Sequence, residues 1–392
     1  MSQQNPRKIA ILTQVFRLGY GVGVVIATQA QHLRALGYEV HIFALHTDGA
    51  RDWEGIPVWQ LWRTPTALRA ILRAGGFNVV IAHTPPFFRL LPQFHDFAHT
   101  IAYEHGSPPP EFFVDAQLRA QELANMDSDV YARVDRVVAI SEFMRRYINW
   151  PDSVVIYNGA DHLRARTAQV QATPNLPEQP LRILCVARFG EHEFLYKGMD
   201  LLQQLRGDLP AESFEIRVVG RGGPEQVKTL QQSGMVVLPN VPDDVLAQEY
   251  RDCHALVSFS RWEGFNLPLV EAGIWAKAAL ALDIGAHAEV TPLCFAKYED
   301  LRDFLLQSTA QSLAEAGQKT ADFVARFTWA QNVESLVEVL KNVERPVPQA
   351  GFGGGNLLAR GALQLHFGAF ELLELARRIR LWWRGRRWWR RN

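Results

Sequence analysis

The chain has 392 residues, 48% of them hydrophobic and 21% charged, with 41 basic residues balanced by 41 acidic ones. That length exceeds one ordinary core and implies two domains of typical size plus an appendage, with the composition of a globular protein. The zero net charge hides an asymmetry: eight arginines fall within RRIRLWWRGRRWWRRN, Arg377 to Asn392, which leaves 33 basic against 41 acidic residues elsewhere and a mildly acidic body of −8.

The chain opens with MSQQNPRKIAILTQ, an apolar run too short for a signal peptide, and no window reaches about 18 uninterrupted apolar residues, so no membrane-spanning helix is expected. Short apolar runs then alternate with helical patterns. KIAILT, EVHIFAL, NVVIAH, HTIAYE, RVVAIS and SVVIYN form a first series of predicted strands, and RILCVA, FEIRVVG, MVVLP, ALVSF and AALAL a second. Helices are expected at Val24 to Leu36, Ala116 to Arg133 and Met199 to Leu205. Continuous rather than alternating apolar strands, separated by helices, mean parallel sheets covered on both faces, hence two doubly wound α/β domains. Cys185, Cys253 and Cys294 are widely spaced in or near apolar runs and read as free thiols rather than a disulfide frame or a zinc site. A polar, proline-containing seam, His162 to Pro180, parts the two series, and a glycine-rich joint, Glu344 to Asn356, precedes the basic tail. The expected units are 1–165, 180–343 and a tail at 356–392.

The stretch RWEGFNLPLVEA, Arg261 to Ala272, places Glu263 and Glu271 eight positions apart around a turn that opens into an apolar helix, with Pro268 in its first turn. Glu263 should stand at the carboxyl end of a strand, where open α/β sheets bind ligands, and Gly264, Phe265, Asn266 and Leu267 offer backbone N–H groups near a helix start. Acids that accept hydrogen bonds from hydroxyls beside amides that hold anionic oxygens suit a sugar nucleotide. The spacing alone is equally compatible with a dipole-complementing Glu271 and a solvated Glu263. Arg188, just after a strand of the same series, and Lys197 with Gly198, at a helix start nine positions on, add two cations that can converge as a diphosphate clamp.

Taken together these segments resemble glycosyltransferase family 4, with its GT-B fold of two Rossmann-like domains facing across a cleft. Glu263 and Glu271 fit that family's E-x7-E motif; VARFG…YKGMDLL is similar to its R…KG segment, ISEFM…VVIYNGAD to the strand and N-G-x-D turn that close the first domain, RFTWAQNVESLVEVL to its F-T/S-W helix and GYEVHIFAL to its second strand. The resemblance spans roughly Lys8 to Val343. It implies a retaining transfer from a nucleotide sugar. Glu271 would bind the ribose hydroxyls, Glu263 and the backbone of Gly264 to Leu267 would hold the donor sugar, and Arg188 and Lys197 would offset charge on the departing diphosphate. No protein nucleophile, cofactor or essential metal is implied.

The first domain should face the acceptor. In RLGYGVGVVIATQAQHL the glycines Gly19, Gly21 and Gly23 let backbone approach a phosphate or sugar, and Gly21 and Gly23 are taken as the acceptor or phosphate loop. The segment departs from the family's pattern, where two adjacent glycines and polar residues usually stand, and the G-x-G-x-x-G dinucleotide spacing is not met. His83 and His105 both end strands of this series. The family often has a histidine here near the reacting sugar, and His105, beside Gly106 and Ser107, is the preferred one; the plain alternative is an imidazole satisfied by a loop carbonyl. Asp127 and Asp129 form an Asp-x-Asp inside a helical pattern, the wrong setting for a metal signature.

The tail begins as an apolar-rich helical pattern and ends in paired tryptophans among arginines, which suits a peripheral anchor on an anionic membrane surface at the cytoplasmic, inner leaflet. RNA is the alternative partner. A lipid-linked or glycan acceptor, in the synthesis of a surface polysaccharide or glycolipid, fits such an anchor. Two other functions stay open: a degenerate transferase acting as a membrane-bound scaffold, and a nicotinamide-dependent oxidoreductase, for which the glycines are misplaced.

Overall fold

The computed structural model describes residues 7–17, 19–49, 51–61, 67–113, 115–167 and 178–342, with the side chain of Arg166 left out. The basic tail therefore lies outside the described residues. Two separate sheets are present. The first contains β1 (Lys8–Phe16), β2 (Glu39–Thr47), β3 (Asp52–Trp53), β4 (Ile56–Gln60), β5 (Val79–Ala82), β6 (His99–Glu104), β7 (Arg136–Ala139) and β8 (Val154–Val155), in the order β3-β4-β2-β1-β5-β6-β7-β8. The second contains β9 (Leu181–Arg188), β10 (Phe214–Arg221), β11 (Val236–Pro239), β12 (Ala255–Ser258), β13 (Ala278–Leu282) and β14 (Leu293–Phe295), in the order β11-β10-β9-β12-β13-β14. Every ladder is parallel except β3 with β4. The central strands are buried along their whole length, β5, β6 and β12 without an exposed position, because helices cover both faces.

In each sheet the chain runs outward from a central strand in two directions. The reversal lies between β1 and β5 in the first sheet and between β9 and β12 in the second. A crevice opens at the carboxyl ends of such strand pairs, where the two following connections part to opposite sides. Here Gln14 and Val15 lie near the end of β1 and Gly19 to Val22 follow it, Thr84 follows β5, Arg188 ends β9, Ser260 and Trp262 to Pro268 follow β12, and all of these line one common cleft.

Three observed strands are not among those predicted, and one predicted helix differs from what is observed. The strand pair β3 and β4 and the edge strand β14 escape the apolar-run criterion because they are short and half-buried. The helix expected over Ala116 to Arg133 is three pieces, Ala116–Leu123, Met126–Asp129 and a 3₁₀ turn Tyr131–Arg133. Asn125 takes the left-handed conformation (φ 56°) between the first two, and neither of them buries a residue that would hold a longer helix to the core. Asp129 pairs with Arg89 at 2.7 Å, so this acid serves the surface.

The last described helix, Trp329–Lys341, returns to the first sheet and packs on the helix Gly21–Ala35. Asn332 is the polar centre of that contact: it accepts from Gln29 Nε2 at 2.8 Å and donates to the Tyr157 carbonyl at 2.7 Å and the Tyr103 hydroxyl at 3.2 Å. The turn Asn158 to Asp161 is bolted to the start of the same helix. Ala160 N–H donates to the Phe327 carbonyl at 3.1 Å, and Trp329 N–H donates to Asp161 Oδ1 at 2.9 Å. Between these bonds Gly159 lies so close that a Cβ would overlap the Trp329 nitrogen. A Gly159→Ala variant should therefore lose about 1–3 kcal/mol of stability, seen as a lowered melting midpoint; an unchanged midpoint would show that the two segments separate without cost.

Candidate active site

The cleft between the sheets has a volume of about 440 Å³. An ion pair joins the segments that follow β9 and β12. Lys197 Nζ lies 2.6 Å from Glu263 Oε1, which also accepts from Ser260 Oγ at 2.8 Å, and both charged side chains are largely buried. Burial alone would raise the Glu263 pKa, but the charge of Lys197 and the two hydrogen bonds outweigh it and hold the carboxyl below its ordinary value. Both partners are fixed by backbone. Gly198 (φ 68°) follows Lys197 where any Cβ would overlap the Phe259 carbonyl, and the Glu263 carbonyl accepts from Ala286 N–H at 3.0 Å.

After Glu263 the chain enters the helix Leu267–Ile274, with Pro268 in its first turn and Asn266 left-handed (φ 67°) at its cap. The Asn266 side chain does not cap the helix. It turns inward, donating to Ser258 Oγ at 2.9 Å and reaching His287 Nε2 at 2.8 Å. Since the amide donates, His287 Nε2 accepts and its Nδ1–H donates to the Leu282 carbonyl at 2.7 Å, which makes the imidazole neutral, in keeping with a pKa lowered by burial. The helix start is left facing the cleft through Gly264, Phe265, Leu267 and Pro268.

Arg188 is half-exposed at the same end of the sheet, held by Glu193 at 2.9 Å and Tyr196 Oη at 3.0 Å. Two residues that sequence reasoning missed stand beside it. Arg221, at the end of β10, and Arg188 both lie over the ring of Tyr20, at 4.8 and 5.5 Å from its centroid, so a first-domain aromatic sits against two second-domain guanidiniums. Arg221 was legible only as one arginine in GRGG, and Tyr20 as one more residue of a glycine-rich turn.

The first domain meets this floor at Gly264. The Ser141 hydroxyl donates to its carbonyl at 2.7 Å, and the His105 carbonyl comes so near that a Cβ on Gly264 would stand 2.6 Å from it. His105 lines the cleft and pairs with His83, Nε2 to Nδ1 at 2.8 Å, both rings stacked with Tyr103. Burial pushes the His105 pKa down to about 3 and that of His83 well below the ordinary value, so both imidazoles are neutral hydrogen-bonding groups near pH 7. Of the two glycines expected at the phosphate loop, Gly21 lines the cleft, with Leu267 Cδ1 3.7 Å from where its Cβ would be; Gly23 lies behind it, packed on the Arg17 carbonyl. Among the described residues, no three His, Cys, Asp or Glu side chains converge as a metal set.

Residues 20–164 match the family model described as Glycosyltransferase Family 4, and residues 180–317 match that described as Glycosyl transferases group 1. Together the two matches make the chain a glycosyltransferase. Solved structures share its GT-B fold. A sucrose-phosphate synthase from Thermosynechococcus elongatus superposes with a TM-score of 0.68 at 17% identity, covering 86% of this chain and 99% of its own. HepE from Anabaena, in complex with UDP and glucose, gives 0.67 at 17% identity over 86% and 99%, and a UDP-forming α,α-trehalose-phosphate synthase from Burkholderia vietnamiensis gives 0.60 at 10% over 89% and 99%. A comparison of the sequence with curated proteins returns no match.

In this glycosyltransferase Glu271 occupies a different setting from Glu263. It is 7% exposed, one turn into its helix, and is not among the residues lining the cleft. The Tyr250 hydroxyl donates to its Oε2 at 2.5 Å, and His162 Nε2 lies 3.4 Å from Oε1. Trp329 Nε1–H donates to His162 Nδ1 at 3.1 Å and so places the ring proton on Nε2, facing the carboxyl. Burial raises the Glu271 pKa from 4.5 to about 7, against the lowering effect of the Tyr250 bond. A raised carboxyl pKa means that the folded form binds more protons than the unfolded one between those two values, so stability falls as pH rises through that window and is level above it. Glu271→Gln removes this dependence. Relative to wild type, the variant should gain in melting midpoint from pH 5 to pH 8, and an equal difference at both pH values would contradict the assignment.

Proposed function

We propose that this glycosyltransferase moves a sugar from a nucleotide-diphosphate sugar, UDP- or GDP-linked, to a lipid-linked or glycan acceptor with retention of configuration. The observation that carries the reading is that Glu263, the only carboxylate among the described residues lining the cleft, is locked to Lys197 and Ser260. Double displacement through a glycosyl-enzyme needs a free carboxylate nucleophile beside an acid. A carboxylate neutralised by a lysine favours the other route: the anomeric carbon–oxygen bond to the diphosphate breaks and the acceptor oxygen bonds the same carbon from the same face. The acceptor's proton passes to the departing phosphate oxygen.

Arg188 and Lys197 stabilise the charge that grows on that diphosphate, and the backbone N–H groups of Gly264 to Leu267 with Glu263 hold the donor sugar. The family resemblance assigns Glu271 to the ribose hydroxyls; in this structure its two oxygens are taken up by Tyr250 and His162 behind the cleft, so that role requires one of them to yield its place to the ligand. Gly21 and His105 form the acceptor side, opposite Leu267 and Gly264.

A thermal-shift panel of UDP, GDP, ADP and their sugar conjugates should give a stabilisation of a few degrees with one nucleotide series at about 100 times its Kd. Lys197→Ala and Glu263→Gln should then each lower turnover by about 10²- to 10³-fold. No shift with any sugar nucleotide, or normal turnover in both variants, would sink the reading.

The pathway assignment, surface polysaccharide or glycolipid synthesis at the inner leaflet, rests on the tail's composition. No helix among the described residues is long and apolar enough to cross a membrane. Deleting residues 356–392 should abolish sedimentation with vesicles containing anionic lipid while leaving nucleotide binding unchanged; binding to RNA instead of vesicles would reassign the partner.

A further inference from the structure

His83 and His105 follow the neighbouring strands β5 and β6, so topology sets their rings side by side, with Nδ1 of His83 2.8 Å from Nε2 of His105. Both imidazoles are neutral near pH 7. Each therefore carries one proton, and only one of the two nitrogens in this contact donates. The remaining nitrogens have opposite surroundings. His83 is 1% exposed, and its Nε2 is enclosed without a hydrogen-bond partner. His105 is half-buried on the cleft wall, and its Nδ1 bonds to no described residue.

Two arrangements of the protons satisfy the contact. If His105 donates from Nε2, the His83 proton must sit on Nε2, an N–H sealed in the core with nothing to accept it. If His83 donates from Nδ1, its enclosed Nε2 is a bare lone pair and the His105 proton sits on Nδ1, open to water or ligand in the cleft. The second arrangement uses both protons and the first strands one. A buried N–H without an acceptor is among the rarest features of folded proteins, so the second is favoured. The ring plane of His83 is kept by its stack on Tyr103, 4.8 Å between centroids. Tyr103 is held in turn through its hydroxyl, by Gln29 at 3.0 Å and Asn332 at 3.2 Å.

We propose that His83 is a positioning residue: by donating Nδ1–H to His105 Nε2 it fixes the tautomer in which His105 turns an N–H donor, not a basic nitrogen, toward the cleft. This deepens the transfer proposed above and rests on it for the nature of the ligand. An N–H at that wall holds a sugar oxygen through its lone pair and takes no proton from it, which agrees with a transfer in which the acceptor's proton leaves on the phosphate. His83 does not line the cleft and acts only through its neighbour.

The test is a long-range proton–nitrogen correlation spectrum of the full-length enzyme carrying nitrogen-15 histidine, near pH 7, with the two rings assigned by the loss of their signals in His83→Asn and His105→Asn. The expected spectrum shows a protonated Nδ1 and a bare Nε2 in both rings, the reverse of what an unconstrained neutral imidazole favours. A protonated Nε2 in either ring overturns the proposal. Turnover of a sugar nucleotide then separates positioning from packing. His83→Phe keeps a ring against Tyr103 without the donor and should slow turnover about 10-fold, the size of one lost hydrogen bond. His83→Asn places an amide N–H where Nδ1 stood and should recover most of that loss. Equal slowing in both variants, or none in the phenylalanine variant, overturns the role. The spectrum needs no substrate: a wild type that turns over no sugar nucleotide removes the transfer reading while the tautomer is still decided, and if the phenylalanine variant fails to fold, the wild-type spectrum decides alone.

Discussion

The Lys197–Glu263 pair is the contact on which the cleft depends. Two opposite charges drawn out of water at the ends of adjacent strands are weak evidence of net stability, but removing either leaves a buried charge without its partner, at a cost of about 3–5 kcal/mol. The fold spends conformational freedom to keep them together: a left-handed glycine after the lysine, the Ala286 N–H donated to the glutamate's own carbonyl, and a serine hydroxyl on the shared oxygen. In the function proposed above, the pair is a fixed dipole that meets the charge growing on the diphosphate without reorganisation at the moment of reaction.

Around that pair the two halves are held in register by few bonds with high leverage. Glu289 accepts from the N–H groups of Glu142 and Phe143, at 2.8 and 2.6 Å, and from the Tyr157 hydroxyl at 2.9 Å, so one carboxylate of the second half caps a helix of the first. Ser141, the cap residue of that same helix, donates to Gly264. The loop beside Glu263 is thereby coupled to the start of a helix in the opposite domain, and shape in one wall of the cleft constrains the other.

Much of this was legible in the sequence, for identifiable reasons. A strand buried on both faces must be continuously apolar, so β1, β5, β6, β9 and β12 announce themselves, and the residues that follow their carboxyl ends inherit a location from topology alone. Glu263, Lys197 and Arg188 could be placed that way. The spacing of Glu263 and Glu271 could be read too, but not the burial of Glu271 against Tyr250 and His162, because both partners come from other parts of the chain. Tyr20 and Arg221 carry no local signature; each matters through a neighbour that only the packed structure defines. The break at Asn125 was hidden for the opposite reason, since local propensity favoured a helix that no buried face supports.

The docking of Trp329–Lys341 onto Gly21–Ala35 also bears on how the chain is made. Gln29 and Asn332 are 303 positions apart, yet their hydrogen bond completes the interior that also holds Tyr103 of the first sheet. During synthesis, which proceeds from the N-terminus at a pace of seconds per domain, the first half emerges with one side of its leading helix uncovered and must wait for nearly the whole remaining chain. The two Rossmann-like halves are thus not successive, self-sufficient products of the ribosome. The N-terminal one is finished last.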